Sequence, residues 1–229
     1  MLALLGALVF ASVPQEAAKP AEGMRVVQLA ILVDGKVKPS AAESAKLQMG
    51  HLQFLQGLWE KRAALVVGPL EEGGELHGIV VLDLKSADEA KKLLAKDPFV
   101  KAGYLDTKVV SWYCLASVMQ KAPKFLDVAP HWFCILERPS DAPNVTPEES
   151  SKIQAGHMEN IQAMAKEGIL LLAGPLVEAG AWRGIFIFKD EPKEKVLDRI
   201  GKDPAVKARR LEPKLVRWYT AKGSFAPLK

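Results

Sequence analysis

A histidine followed 46 residues later by an Asp-Pro pair occurs twice in this chain, as His51 with Asp97-Pro98 and as His157 with Asp203-Pro204. A carboxylate that binds one imidazole nitrogen fixes the tautomer and leaves the other nitrogen to take or give a proton. General acid–base catalysis of this kind contributes roughly 10² to 10⁴ in rate. A glycine precedes each histidine, Gly50 and Gly156, in what reads as the middle of a helix. Mid-helix glycine costs about 1 kcal/mol against alanine, so either a void beside the imidazole or close backbone packing is expected there. The same residues have plainer readings: a histidine on an apolar stripe is a core residue, and Asp before Pro is a helix N-cap.

Other chemistries lack their residues. There is no CxxC, HExxH or GxSxG, and no glycine-rich phosphate loop follows a strand. The four histidines, His77 and His131 included, are too dispersed for a metal site, so neither metal nor cofactor is expected. Trp112-Tyr113 and Trp218-Tyr219 either wall a pocket or serve as buried structural aromatics. Cys114 and Cys134 either form a disulfide or, the favoured reading, remain two buried thiols.

The elements that would position the histidines are repeated with them. An offset of 106 superposes Gly50-His51 on Gly156-His157, Gly68-Pro69-Leu70 on Gly174-Pro175-Leu176, Asp97-Pro98 on Asp203-Pro204 and Trp112-Tyr113 on Trp218-Tyr219, with no insertion between Glu43 and Tyr113. In each copy a β-rich run, Val26 to Val33 or Trp132 to Leu136, leads to a capping box, Ser40 with Glu43 or Thr146 with Glu149. The helices that follow carry stripes of Leu47, His51, Leu55, Leu58 and of Ile153, His157, Ile161, Met164. Strands Ala63 to Val67 and Ile169 to Ala173 are read as broken by their Gly-Pro pairs. The strands Ile79 to Leu82 and Ile185 to Phe188 are continuously apolar, so both of their faces must be covered. A second helix from the Ser86 cap, or over Lys193 to Gly201, precedes a last strand near Lys108 to Leu115 or Lys214 to Thr220.

This order is β-α-β-β-α-β twice, which predicts an α+β fold of two tandem ferredoxin-like units packed sheet to sheet as an internal pseudo-dimer. The expected organisation is residues 1–23 as leader, 24–115 as repeat 1, 116–130 as linker, 131–221 as repeat 2 and 222–229 as tail. His131 then falls at the edge of the linker.

Composition sets the class. With 49% hydrophobic and 25% charged residues, a net charge of +4 and scattered lysines, the chain reads as an ordinary globular protein and not a nucleic-acid binder. The apolar run Leu2 to Val13 is too short to span a bilayer and suits a secretory signal, which places the mature protein outside the cytoplasm and off the membrane.

The sequence His51, Gly68-Pro69, Gly78, Asp97-Pro98-Phe99-Val100-Lys101-Ala102-Gly103 and Val110-Ser111-Trp112 resembles the YCII-related domain family. The second copy follows it through His157, Gly174-Pro175, Gly184 and Asp203 to Ala208, departing with Ala205 for the aromatic and Arg209 for the glycine. The resemblance implies a dimeric α+β barrel and an active-site His and Asp at His51 with Asp97 and at His157 with Asp203. It also implies cofactor-free chemistry like that of the family's dehydrochlorinase and of muconolactone isomerase in the superfamily. The expected function is a lyase or isomerase acting on a small carbonyl or phenolic substrate. A small-molecule binding module is the alternative, and a closed structural domain is a third. The protein is expected to be a monomer with an internal pseudo-dimer, or a homodimer. Arg209 is expected to compete for Asp203.

Overall fold

The structure is a computed structural model that describes residues 23–226. The signal and leader expected over residues 1–23 lie outside the described residues but for the last. Repeat 1 comprises β1 (Arg25–Asp34), α1 (Ala41–Glu60), β2 (Ala64–Glu71), β3 (Leu76–Leu82), α2 (Ala87–Leu94), the short α3 (Pro98–Lys101) and β4 (Leu105–Cys114). Repeat 2 comprises β5 (Val128–Glu137), α4 (Pro147–Lys166), β6 (Leu170–Val177), β7 (Trp182–Phe188), α5 (Lys193–Gly201), the short α6 (Pro204–Lys207) and β8 (Glu212–Ala221). Both capping boxes form, with Ser40 and Thr146 accepting from the backbone of Glu43 and Glu149 and each glutamate reaching back to its cap. β5 begins inside the segment expected to be a linker, so His131 is a strand residue.

The eight strands close into one antiparallel barrel in the order β1-β3-β2-β8-β5-β7-β6-β4. Helices cover its outside. Alternation along the apolar strands explains their composition. Ile79 and Val81 with Ile185 and Ile187 fill the interior, while Val80 and Leu82 with Phe186 and Phe188 face the helices. The interior core is drawn from both repeats, including Leu29, Ile31, Phe133 and Ile135, so neither half can complete it alone.

The repeats also join edge to edge, which the expectation of two facing sheets did not include. β2 pairs with β8 through Leu70 and Trp218, and β4 pairs with β6 through Trp112 and Leu176. The Gly-Pro pairs do not break their strands: β2 and β6 run through them and carry the seams. A Cβ on Gly68 would lie 1.7 Å from the carbonyl oxygen of Tyr219, and one on Gly174 would lie 1.8 Å from that of Tyr113. Only glycine allows that approach. The indoles of Trp218 and Trp112 donate to the carbonyls of Gly68 (3.1 Å) and Gly174 (3.2 Å). Proline is tolerated beside them because a strand changing partners need not offer every N–H.

The cysteines resolve as free, buried thiols. Cys114 belongs to the barrel interior and Cys134 to the helix-facing layer, so the sheet separates them. Burial pushes both thiols far above their ordinary range, and neither should react with an aromatic disulfide reagent at pH 8 until the protein unfolds.

Two outcomes test the seams. Gly68→Ala and Gly174→Ala should each cost on the order of 3 kcal/mol or more in urea unfolding, because backbone must move to admit the methyl group. Residues 24–120 expressed alone should dimerise through their unpaired edges or aggregate; a soluble monomer by sedimentation would contradict the shared core.

Candidate functional site

Each histidine sits on the inner face of a long helix, and each aspartate closes the turn that enters the last strand. His51 Nδ1 lies 2.7 Å from Asp97 Oδ2, and His157 Nδ1 lies 2.7 Å from Asp203 Oδ2. The second aspartate oxygen accepts from backbone: Phe99 N to Asp97 Oδ1 and Ala205 N to Asp203 Oδ1, both 2.9 Å. The functional and capping readings are therefore both met, one carboxylate oxygen to each. With the carboxylate accepting, Nδ1 carries the proton and Nε2 presents its lone pair.

The glycines before the histidines mark close packing and not a void. A Cβ on Gly50 would meet Pro98 Cγ at 3.2 Å, and one on Gly156 would meet Pro204 Cγ at 2.7 Å. The helix thus lies directly on the Asp-Pro turn, which holds the two side chains at bonding distance.

The two sites differ in what surrounds this common bond. The His51 side chain is 12% exposed and that of His157 only 1%. In repeat 1 the ring edge meets Phe99, centroids 5.0 Å apart, and Phe99 in turn approaches Tyr104. In repeat 2 Ala205 replaces that phenylalanine, and Phe186 of β7 stacks on His157 at 5.9 Å. Asn160 adds a third bond to the buried carboxylate, Nδ2 to Asp203 Oδ2 at 3.2 Å. Its counterpart at the offset of 106 is Phe54.

The loop that precedes the long helix is longer in repeat 2. Ile31 pairs with Lys108 while Ile135 pairs with Lys214, so the first strands correspond at an offset of 104 although the last strands keep 106. Asp34 therefore matches Arg138, and residues 139–145 take the place of residues 35–39, two more than in repeat 1. Arg209 does not compete for Asp203 as expected. It pairs with Asp141 of this loop at 2.6 Å, and Arg210 donates to the Pro143 carbonyl. Arg209 does so in the left-handed conformation, φ 52°, that Gly103 occupies in repeat 1.

The remaining sequence candidates lie elsewhere. Trp112 and Trp218 belong to the seams. His77 bonds Asp34 at 2.8 Å, where the Lys38 ammonium and then His77 lower the Asp34 carboxyl. His131 bonds Thr220, and burial lowers its pKa. A shallow hollow of 340 Å³ on α2, lined by Leu84, Glu89, Lys92, Leu93 and Lys96, includes neither histidine of the pairs. Among the described residues no cluster of His, Cys, Asp or Glu is arranged to hold a metal ion.

The packing difference sets an order of sensitivities. Gly156→Ala should destabilise more than Gly50→Ala in thermal unfolding, since 2.7 Å against 3.2 Å outweighs the helix-propensity gain of about 1 kcal/mol only in repeat 2. Asp203→Asn should cost about 2–3 kcal/mol and Asp97→Asn about 1, because the new amide would face the Asn160 donor in the sealed site.

Comparison with known proteins agrees with this architecture. A mutant chlorite dismutase from Candidatus Nitrospira defluvii in complex with cyanide is similar at TM-score 0.55 and 11% identity, covering 88% of this chain and 92% of that one. A heme-binding protein from Thermus thermophilus is similar at TM-score 0.51 and 13% identity, covering 87% and 94%. These identities show a shared α+β barrel fold alone. No curated protein matches the chain. The family model of the YCII-related domain matches residues 24–113, and repeat 1, which carries the open His51–Asp97 pair, is a YCII-related domain.

Proposed function

We propose that the chain is two tandem ferredoxin-like units forming an exported, cofactor-independent lyase- or isomerase-type enzyme whose working group is His51. The observation that carries this reading is the contrast between the repeats: an identical His–Asp bond is open to solvent at His51 and closed at His157. Nε2 of His51 would take the proton from a carbon beside a carbonyl, or from a phenolic ring, and return it to another atom or leave it as a group departs. Asp97 would hold the ring, stabilise the imidazolium and touch no substrate. Phe99 and Tyr104 would rim the site. His157 and Asp203 then serve as the structural remnant of a second site.

The heme-binding relative raises the question of a heme in this barrel. Axial ligation needs a ring nitrogen open to an apolar slot of heme size. His157 is sealed against Phe186, and a ring facing such a slot would expose its free edge. The His51 side chain is only 12% exposed, with Phe99 packed edge to face against its ring. These residues do not fit a heme, and no step involves one.

A small-molecule binding module without catalysis is the second reading. It is favoured by Gly50, whose missing side chain makes room for Pro98 and not for a reacting group, so the glycine serves packing and gives catalysis no support.

Deuterium exchange in D₂O with a panel of phenols, lactones and keto acids, followed by proton NMR, separates the two. The enzyme should exchange one position of one compound, and His51→Ala should slow that exchange by roughly 10² or more. Asp97→Asn should slow it as well, since an amide at Nδ1 forces the proton onto Nε2, while Asp203→Asn, if folded, should leave it intact. Binding without exchange would support the module. Exchange that persists in His51→Ala would remove the proposed base.

A further inference from the structure

Arg138, Arg183 and Arg210 come together at the end of repeat 2 where β5 stops. The Arg138 N–H bonds the Ala181 carbonyl at 2.8 Å, which sets it beside the start of β7, where Arg183 lies. Glu137 pairs with Glu212, so Arg138 and the approach to β8, Arg210 and Leu211, meet at the same strand end. Burial, and then the charge of Arg138, disfavours the charged form of both Arg183 and Arg210. Two like charges such as those of Arg138 and Arg183, set close together, are costly unless something neutralises them.

The acids nearby are engaged elsewhere. Asp141 is taken by Arg209, and Glu137 accepts from the Trp182 indole. Among the described residues neither Arg138 nor Arg183 has a carboxylate within ion-pair distance. A second observation is independent of charge: Arg183 Nε is buried with no hydrogen-bond partner, and so are both amide atoms of Gln154, one turn before His157 on α4. Buried polar groups ordinarily find partners, and an orphaned one is costly to keep. Arg138 and Arg183 are only partly buried, so a solute can reach them.

Repeat 1 carries nothing comparable. The positions there are Asp34, His77 and Tyr104, and Asp34 is satisfied by Lys38 and His77. Where repeat 1 has the mutually neutralising Asp34 and His77, repeat 2 has two cations, Arg138 and Arg183.

We propose that repeat 2 holds an oxyanion site in which the guanidinium groups of Arg138 and Arg183 bind the carboxylate or phosphate group of a small anion, with Arg210 beside them and the Gln154 amide within the same helix–sheet layer. The planar fork of arginine suits either group. The site is separate from the proton-transfer role of His51 and does not depend on it.

Thermal unfolding of the full chain in inorganic phosphate, acetate and chloride at matched ionic strength tests this. Phosphate or acetate at 10 mM should raise Tm by about 2–4 °C over chloride, and Arg138→Gln and Arg183→Gln should each abolish the difference while Arg209→Gln retains it. A shift with phosphate alone identifies a phosphate site, and a shift with both a general oxyanion site. As a check that needs no variant, the Arg183 Nε–H resonance in ¹⁵N NMR should move on phosphate titration and saturate. Equal Tm in all three salts with an unmoved resonance, or a shift that survives both substitutions, would overturn the proposal.

Discussion

Two backbone approaches hold this molecule together. The carbonyls of Tyr219 and Tyr113 press onto Gly68 and Gly174 so closely that no side chain fits between them. Each approach lets an edge of one repeat pair with the other, and each is locked by a tryptophan indole that donates to the glycine carbonyl. Closure by edge pairing removes the exposed strand edges that two separate sheets would leave. It also encloses an interior to which both halves contribute. The helix layers, and the histidines on them, are positioned by a barrel that exists only as a whole.

Within that frame the two repeats have diverged around one hydrogen bond. The bond itself is kept at 2.7 Å in both, by a helix seated on an Asp-Pro turn through a glycine. Its surroundings are not kept. Repeat 2 has moved an aromatic from the turn to the sheet, added Asn160 to the carboxylate and laid a longer loop over the turn, pinned by Arg209 and Arg210. A buried, triply bonded aspartate with its imidazole stacked on phenylalanine is suited to rigidity. A partly exposed imidazole at the same position is suited to meeting a solute.

Much of this was legible in the residues. Two capping boxes, two apolar third strands and a shared offset are local signals, and they led to the order of elements along the chain, the covered sheet faces and the meeting of each His with its Asp. The misreadings were about contacts distant in sequence. Gly68-Pro69 is a strand breaker by local rules, and only the approach of Tyr219, some 150 residues away in the chain, shows it as a seam. The change of offset from 106 to 104 was hidden because β1 and β5 are short apolar runs without a marker residue; the matched Ile31-Leu32 and Ile135-Leu136 were the available signal. Missing it misplaced His131 and left Arg209 without its true partner, Asp141.

One of the two His–Asp pairs is partly open to solvent and the other is closed. Modification by diethyl pyrocarbonate, which acylates accessible neutral imidazole, reads this directly when followed by peptide mass mapping over time. His51 should be modified in the folded protein while His157 stays unmodified until the protein unfolds. Equal rates at the two histidines, or protection of His51, would contradict it.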